Sequence, residues 1–260
     1  MSPPVLLGAT VTAGEHWSAH FFGQTVFLDT VVSSLVAFGV VLGAGLYLRR
    51  VLTAGVPGRF QALIEMVWET VDDYVRRMIG PFAMWAVPLC TTLFFYILVS
   101  NWLELVPTQD RLTSATADIN DTGAMAIIVI LLVHFTSIRQ RGFKGYLKIN
   151  YLHPPGMSKF FYVILIPVNV ISQLSYPLSL SLRLFGNMFA AALMLEIIAL
   201  MPIYAGFFFN GVWKLFEGLF VDVVQAFIFA LLTLIYLSLA TTETEESEPQ
   251  PETAPLAAAA

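Results

Sequence analysis

Long apolar runs alternate with short polar stretches along the 260 residues. A helix needs about 20 mostly apolar residues to cross roughly 30 Å of hydrocarbon. The first such run extends from Leu28 to Leu48 and ends in Arg49-Arg50. It does not read as a cleavable leader, because residues 1–27 contain no Lys or Arg and the apolar stretch is too long. Gly39 and Gly43 within it form a small-residue pair that predicts close packing of another helix within the protein. Residues 57–79 have a different pattern. Phe60, Leu63, Ile64, Val67, Val71 and Val75 recur at 3–4 spacing after Pro57, opposite Glu65, Glu69, Asp72, Asp73, Arg76 and Arg77. That pattern predicts an amphipathic interfacial helix rather than a span. A second span is expected from Met84 to Val106, with Trp102 as an interfacial aromatic near its far end. After a polar turn at 107–121, a third runs from Thr122 to Ile138 and meets Arg139, Arg141, Lys144 and Lys148.

Residues 142–156 form a connection containing glycine and proline, followed by two long apolar segments, 158–203 and 207–240. Met201-Pro202 and the Gly206 region separate them. Each is long enough to require tilt or a break, and Pro167 and Pro177 are the expected break points in the first. The predicted fold is an all-α polytopic membrane protein. It has about five membrane helices, one amphipathic interfacial helix and two long tilted C-terminal helices. Its organisation is an N-terminal segment (1–27), a single membrane domain (28–240) and an acidic disordered tail (241–260). No inverted repeat of the transporter kind is visible.

Composition agrees with this pattern. Hydrophobic residues make up 57% of the chain and charged residues only 12%, about half the charged share of soluble domains. A soluble enzyme of this size would lack polar residues to cover itself. Cys90 is the only cysteine, so no intrachain disulfide can form, and it reads as a small apolar filler. The net charge of -5 belongs to the tail, where Glu243, Glu245, Glu246, Glu248 and Glu252 leave a body of 13 acids and 13 bases. No basic patch suggests nucleic acid. Residues 49–77 and 139–159 each carry five bases, residues 107–121 carry one, and residues 1–48 carry none. By the positive-inside rule the two rich clusters are cytoplasmic and the N-terminus lies outside. Two further crossings return the C-terminus to the cytoplasm.

Polar residues inside the last two segments carry the candidate chemistry. Arg183 has no Lys or Arg within twenty residues on either side and is far from both ends of its segment. A central arginine is costly in hydrocarbon and marks a pathway or an ion pair. Ser179, Arg183 and Asn187 share one helix face, with Gly186 beside them. Glu196 follows on the same segment, about 20 Å from Arg183 along a helix. The final segment carries Lys214, Glu217, Asp222 and Gln225. If the two segments pack antiparallel, Arg183 lies near Gln225, and Glu196, Glu217 and Asp222 form an acidic aqueous inlet ending at a fixed cation. His134 reads as a packing histidine and Glu104 as a solvated residue near the membrane edge. His16, His20 and His153 lack metal-ligand spacing, and no phosphate loop, metalloprotease motif or nucleophile elbow occurs. No cofactor or metal is expected. The competing reading is a self-contained secondary transporter that uses Arg183 to bind an anionic solute.

The strings SLSLRLFGNMFA (179–190), VVQAFIFALLTLIYLSLA (223–240) and SNWLELVP (100–107) closely resemble subunit a of F-type ATP synthases. In order and spacing the likeness extends over residues 28–240. It implies a non-catalytic stator in a bacterial plasma membrane, whose last two helices curve around a rotating ring of c subunits. It also implies b-type peripheral stalk subunits and the remaining synthase subunits as partners. Arg183 takes the role of the stator arginine, with Asn187 beside it and Gln225 facing it. Ser179, Glu196, Glu217 and Asp222 join the proton path, whose two half-channels the arginine separates. Many bacterial members carry Glu nine residues after the arginine, where this chain has Ala192, and Glu196 follows on the same face. Seven residues before the glutamine the family often has His, Glu or Asp, where this chain has Gly218 beside Glu217.

Overall fold

The computed structural model describes residues 18–21, 24–53, 55–80, 84–105, 114–152 and 159–242. The segment before Ser18, including His16, lies outside the described residues, as do residues 106–113, residues 153–158 with His153, and the acidic tail from residue 243. A short antiparallel hairpin pairs β1 (Ser18–Phe21) with β2 (Gln24–Phe27). It leads directly into α1 (Leu28–Val51). The rest is helical: α2 (Arg59–Met78), α3 (Ala86–Trp102), α4 (Ile119–Leu152), α5 (Lys159–Ala199), α6 (Ile203–Phe216) and α7 (Asp222–Thr242). A π-helical turn, Glu217–Val221, joins α6 to α7. Among the described residues, five stretches are long and apolar enough to cross a membrane: Leu28–Val51, Ala86–Leu105, Ile119–Gln140, Ile166–Ala199 and Ile203–Leu239. The chain is therefore an all-α polytopic membrane protein with one small hairpin.

α3 and α7 form the centre of the core. Val87, Cys90, Phe94 and Ile97 of α3 meet Ala226, Phe229, Ala230 and Leu234 of α7, with Val129 and Val133 of α4 closing one side. The amphipathic α2 closes another side with Val71 and Val75, while Asp72–Arg76 (2.7 Å) and Asp73–Arg77 (3.7 Å) pair on its outer face. Gln61 fixes the entry to α2 by exchanging hydrogen bonds with the backbone of Thr53, donating at 3.0 Å and accepting at 3.3 Å. At the other end, the Ser238 hydroxyl of α7 donates to the carbonyl of Met78 at 2.9 Å.

Three expectations need correction. Gly39 and Gly43 of α1 are exposed, and no heavy atom of another part of the chain would come within 4 Å of a Cβ at either position. They therefore pack no helix of this protein among the described residues. The Gly142 connection is not a loop at its start, because α4 bends there (φ +70°) and continues to Leu152. The bend folds Tyr146 back onto His134, ring centres 5.8 Å apart, which gives the histidine its packing partner. Finally, α5 runs through Pro167 and Pro177 without a break for 41 residues, about 60 Å at 1.5 Å per residue. Each proline removes one backbone bond, but Leu180, Leu184, Met188 and Ala191 form a continuous buried stripe, and α5 packs along α4. The break expected between the long segments is short, since Gly206 already belongs to α6 and donates its N–H to the carbonyl of Pro202.

Candidate functional site

The stripe that buries Leu180 and Leu184 against α4 turns the opposite face of α5 outward. Ser175, Leu178, Ser179, Leu182 and Arg183 line an open depression on that face. Arg183 is exposed, and among the described residues no carboxylate pairs with it. A guanidinium that merely neutralised an acid of its own chain would have such a partner.

α5 and α7 cross antiparallel beside it. Tyr176 packs on Tyr236 with ring centres 4.9 Å apart, and the Asn187 side-chain amide donates to Oε1 of Gln225. Arg183 lies between these two contacts and close enough to Tyr236 to act on it electrostatically. The structure thus brings Arg183, Asn187 and Gln225 together, with Ser179 one turn away on the same exposed face.

A buried acid cluster begins one turn before Gln225. Glu217 is 5% exposed and Asp222 is 2% exposed. Five residues apart on an α-helix, these two would point about 140° away from each other. The π-helical turn changes that. The N–H of Asp222 bonds to the carbonyl of Glu217, five residues back, so the two acids stand one wide turn apart. Glu104 and Lys214 are the other charges acting on Glu217, and Glu104 also acts on Asp222. Asn101 lies beside Asp222 and accepts a 2.6 Å hydrogen bond from Thr116.

The wide turn is held by α3. The indole N–H of Trp102 donates to the carbonyl of Gly218 at 2.7 Å. A Cβ at 218 would meet the end of the Leu105 side chain, which would have to turn aside to admit one. Trp102, still 41% exposed near the end of its span, is thus also a tertiary donor. It also sets the half-buried Glu104 beside the acid cluster. Sequence reasoning missed Glu104 and Asn101, although their three-residue spacing at the end of a span is a readable sign of a shared polar face.

Glu196 stands apart. It is half-buried near the end of α5, is not among the charges acting on Glu217, and forms no ion pair with Lys214. The site therefore has two connected parts. Arg183 faces outward at the helix crossing, and the acids are buried on α7 and its π-helical start, with Asp222 three positions before Gln225. Oε1 of Glu217 and Nε2 of Gln225 are buried with no hydrogen-bond partner among the described residues. Water is the natural partner for such atoms.

Comparison with known proteins matches residues 31–238 to the family described as ATP synthase A chain. The chain is 40% identical over 241 residues to ATP synthase subunit a of Acidothermus cellulolyticus, covering 92% of this chain and 86% of the relative. Its identity to ATP synthase subunit a of Mycobacterium bovis is 39% over 252 residues, covering 93% and 98%. ATP synthase subunit a 2 of Vibrio campbellii is 37% identical over 249 residues, covering 90% and 93%. With a family match from the first span to the last and likeness along nearly the whole length, the chain belongs to the ATP synthase A chain family.

Proposed function

We propose that this chain is the proton-conducting stator of an F-type ATP synthase, a subunit that performs no catalysis alone. It lies in a bacterial plasma membrane with its N-terminus outside and its C-terminus in the cytoplasm. It faces a ring of c subunits and is held by b-type stalk subunits. The observation that carries the reading is Arg183, exposed in the middle of a membrane helix and without an acidic partner among the described residues. Such a charge is expensive against lipid and is stabilised if that face meets a carboxyl-bearing partner.

The chemistry follows from electrostatics. At about 4 Å and an effective dielectric of about 20, a guanidinium favours an ionised carboxylate by about 4 kcal/mol. A ring carboxyl arriving protonated from the lipid gives up its proton to one half-channel as it reaches Arg183, and takes another from the opposite half-channel after passing. The fixed cation bars direct proton flow between the two. Glu217 and Asp222, with Glu104 and Asn101, supply the polar inlet, and Glu196 adds an acid toward the outer end of α5. Asn187, Gln225 and Ser179 hold the arginine's surroundings polar. Each proton crossing 100 mV yields about 2.3 kcal/mol, which ring rotation delivers to the catalytic head.

The test is Arg183→Ala in the whole complex. Assembly is expected to persist while ATP-driven proton pumping and ATP synthesis are lost. Arg183→Lys is expected to fail largely too, because an ammonium lacks the planar fork and loses its proton more readily when desolvated. Near-normal pumping by the alanine variant overturns the proposal. So does Arg183-dependent uptake of an anionic solute by the purified chain alone in vesicles.

A further inference from the structure

α2 and α7 do not close on each other along their whole length. Between them lies an apolar groove of about 300 Å³, with Val67 and Tyr74 on one side, Phe227 and Leu234 on the other and Phe94 of α3 behind. Thr70 and Tyr74 also line an adjoining depression that takes in Asp73 and Arg77. One continuous surface is therefore apolar along its body and charged at one end, the outline of an amphiphile.

Length, level and charge say which amphiphile fits. On α7 the groove extends from Val223 to Leu234, about 16 Å at 1.5 Å per residue. That is about half of a roughly 30 Å hydrocarbon core, the depth of one leaflet. Spread over that length, the volume gives a mean width of about 5 Å, which suits one polymethylene chain and is about half the breadth of a helix. Ser238, one residue before the end of the last span, donates to the carbonyl of Met78, the neighbour of Arg77. The charged end thus lies at the membrane edge, where a headgroup sits. Arg76 is committed to Asp72 at 2.7 Å, whereas Arg77 and Asp73 stand 3.7 Å apart and are both largely exposed. An opposite pair held this loosely has hydrogen-bonding capacity left on each side. The Thr70 hydroxyl donates to the carbonyl of Met66, which leaves its oxygen able to accept.

We propose that this groove holds one acyl chain of a phospholipid whose headgroup carries both an ammonium and a phosphate, with Arg77 on the phosphate and Asp73 on the ammonium. A headgroup with phosphate alone would meet Asp73 as a like charge. The chain fills the space that α2 and α7 leave open and takes no part in proton transfer, so the site stands whether or not the chain conducts protons.

The experiment uses the whole complex in vesicles containing phosphatidylethanolamine with a photoreactive group in one acyl chain. After illumination, mass spectrometry of the peptides locates the label. Label is expected on α2 between Met66 and Tyr74 and on α7 between Val223 and Leu234. Leu231→Trp fills the groove from one wall and is expected to lower this label by about tenfold or more, the loss carried by excluding about two methylenes. Leu35→Trp, at a 63% exposed position of α1, is expected to leave it as in the parent. Arg77→Gln, at an exposed position, guards against misfolding and is expected to lower the label about threefold, the scale of one exposed ion pair. Phosphatidylglycerol with the same photoreactive chain, which lacks the ammonium, is expected to label about threefold less for the same reason. Absence of label from these two stretches overturns the proposal, as does label undiminished by Leu231→Trp or Arg77→Gln. Equal labelling by the two lipids, the result that bulk lipid gives, overturns it too. Label that falls instead on a helix of another subunit shows that helix seated over the groove, and also overturns it.

Discussion

Charge in an apolar stretch is the most informative single-residue signal a membrane sequence offers. Arg183 is legible for that reason, since no neighbouring base or nearby helix end can account for it. Asn187 and Gln225 follow from helical spacing and an assumed antiparallel crossing, and their contact is present. Glu104 is legible only through its three-residue spacing from Asn101. At the end of a span it looks solvated, and only the contact of α3 with the π-helical turn gives it Glu217, Asp222 and Lys214 as neighbours. A ranking of carboxyl-to-amide variants follows. Glu217→Gln and Glu104→Gln are expected to slow proton flux by about tenfold or more, because each removes an acid from one shared buried site. Glu196→Gln, at a separate half-buried position, is expected to have the smaller effect. Proton flux per assembled complex is the measurement, and a Glu196→Gln defect larger than that of Glu217→Gln would reverse this ranking.

At the scale of elements, periodicity identifies what depends on burial and misses what depends on a partner helix. The 3–4 spacing of Val67, Val71 and Val75 marks α2 as amphipathic, and the last two of these valines are buried in the core. The prolines of α5 mislead, because a proline weakens a helix by removing one bond but does not break one that is packed along its length. The wide turn after α6 has no sequence signature of its own. It is held by the hydrogen bond from Trp102, with the end of Leu105 packed over the glycine at 218. Trp102→Phe is therefore expected to cost about 1 kcal/mol, the net value of a typical hydrogen bond. Gly218→Val, which adds a collision with Leu105, is expected to cost more and to lower proton flux further than it lowers complex abundance. Thermal inactivation and proton flux of the two variants are the checks. Equal flux in Gly218→Val and the parent would show that the alignment of Glu217 with Asp222 does not matter.

For the whole molecule, the core lies around α3, α4 and α7, while α1 and α6 stand at the edge with most of their apolar side chains facing out. Edge helices of this kind suit lipid or neighbouring subunits, and neither adds much to the chain's own centre. The central position of α7 has a consequence in time. Ribosomes add about 5–20 residues per second, so α7 is complete about 7 to 28 seconds after α3. During that interval α3 lacks the helix that packs against Phe94 and Ile97 and sets Asp222 beside Asn101. A chain ended before Asp222 is expected to disappear in a pulse-chase experiment, while one ended after Thr242 persists. Equal lifetimes for the two would mean that α3 and α4 can hold together without α7. A half-made chain thus carries a visible mark of its incompleteness, unshielded polar groups on its best-packed helix, and membrane proteases need no other label to tell an abandoned translation product from a finished one.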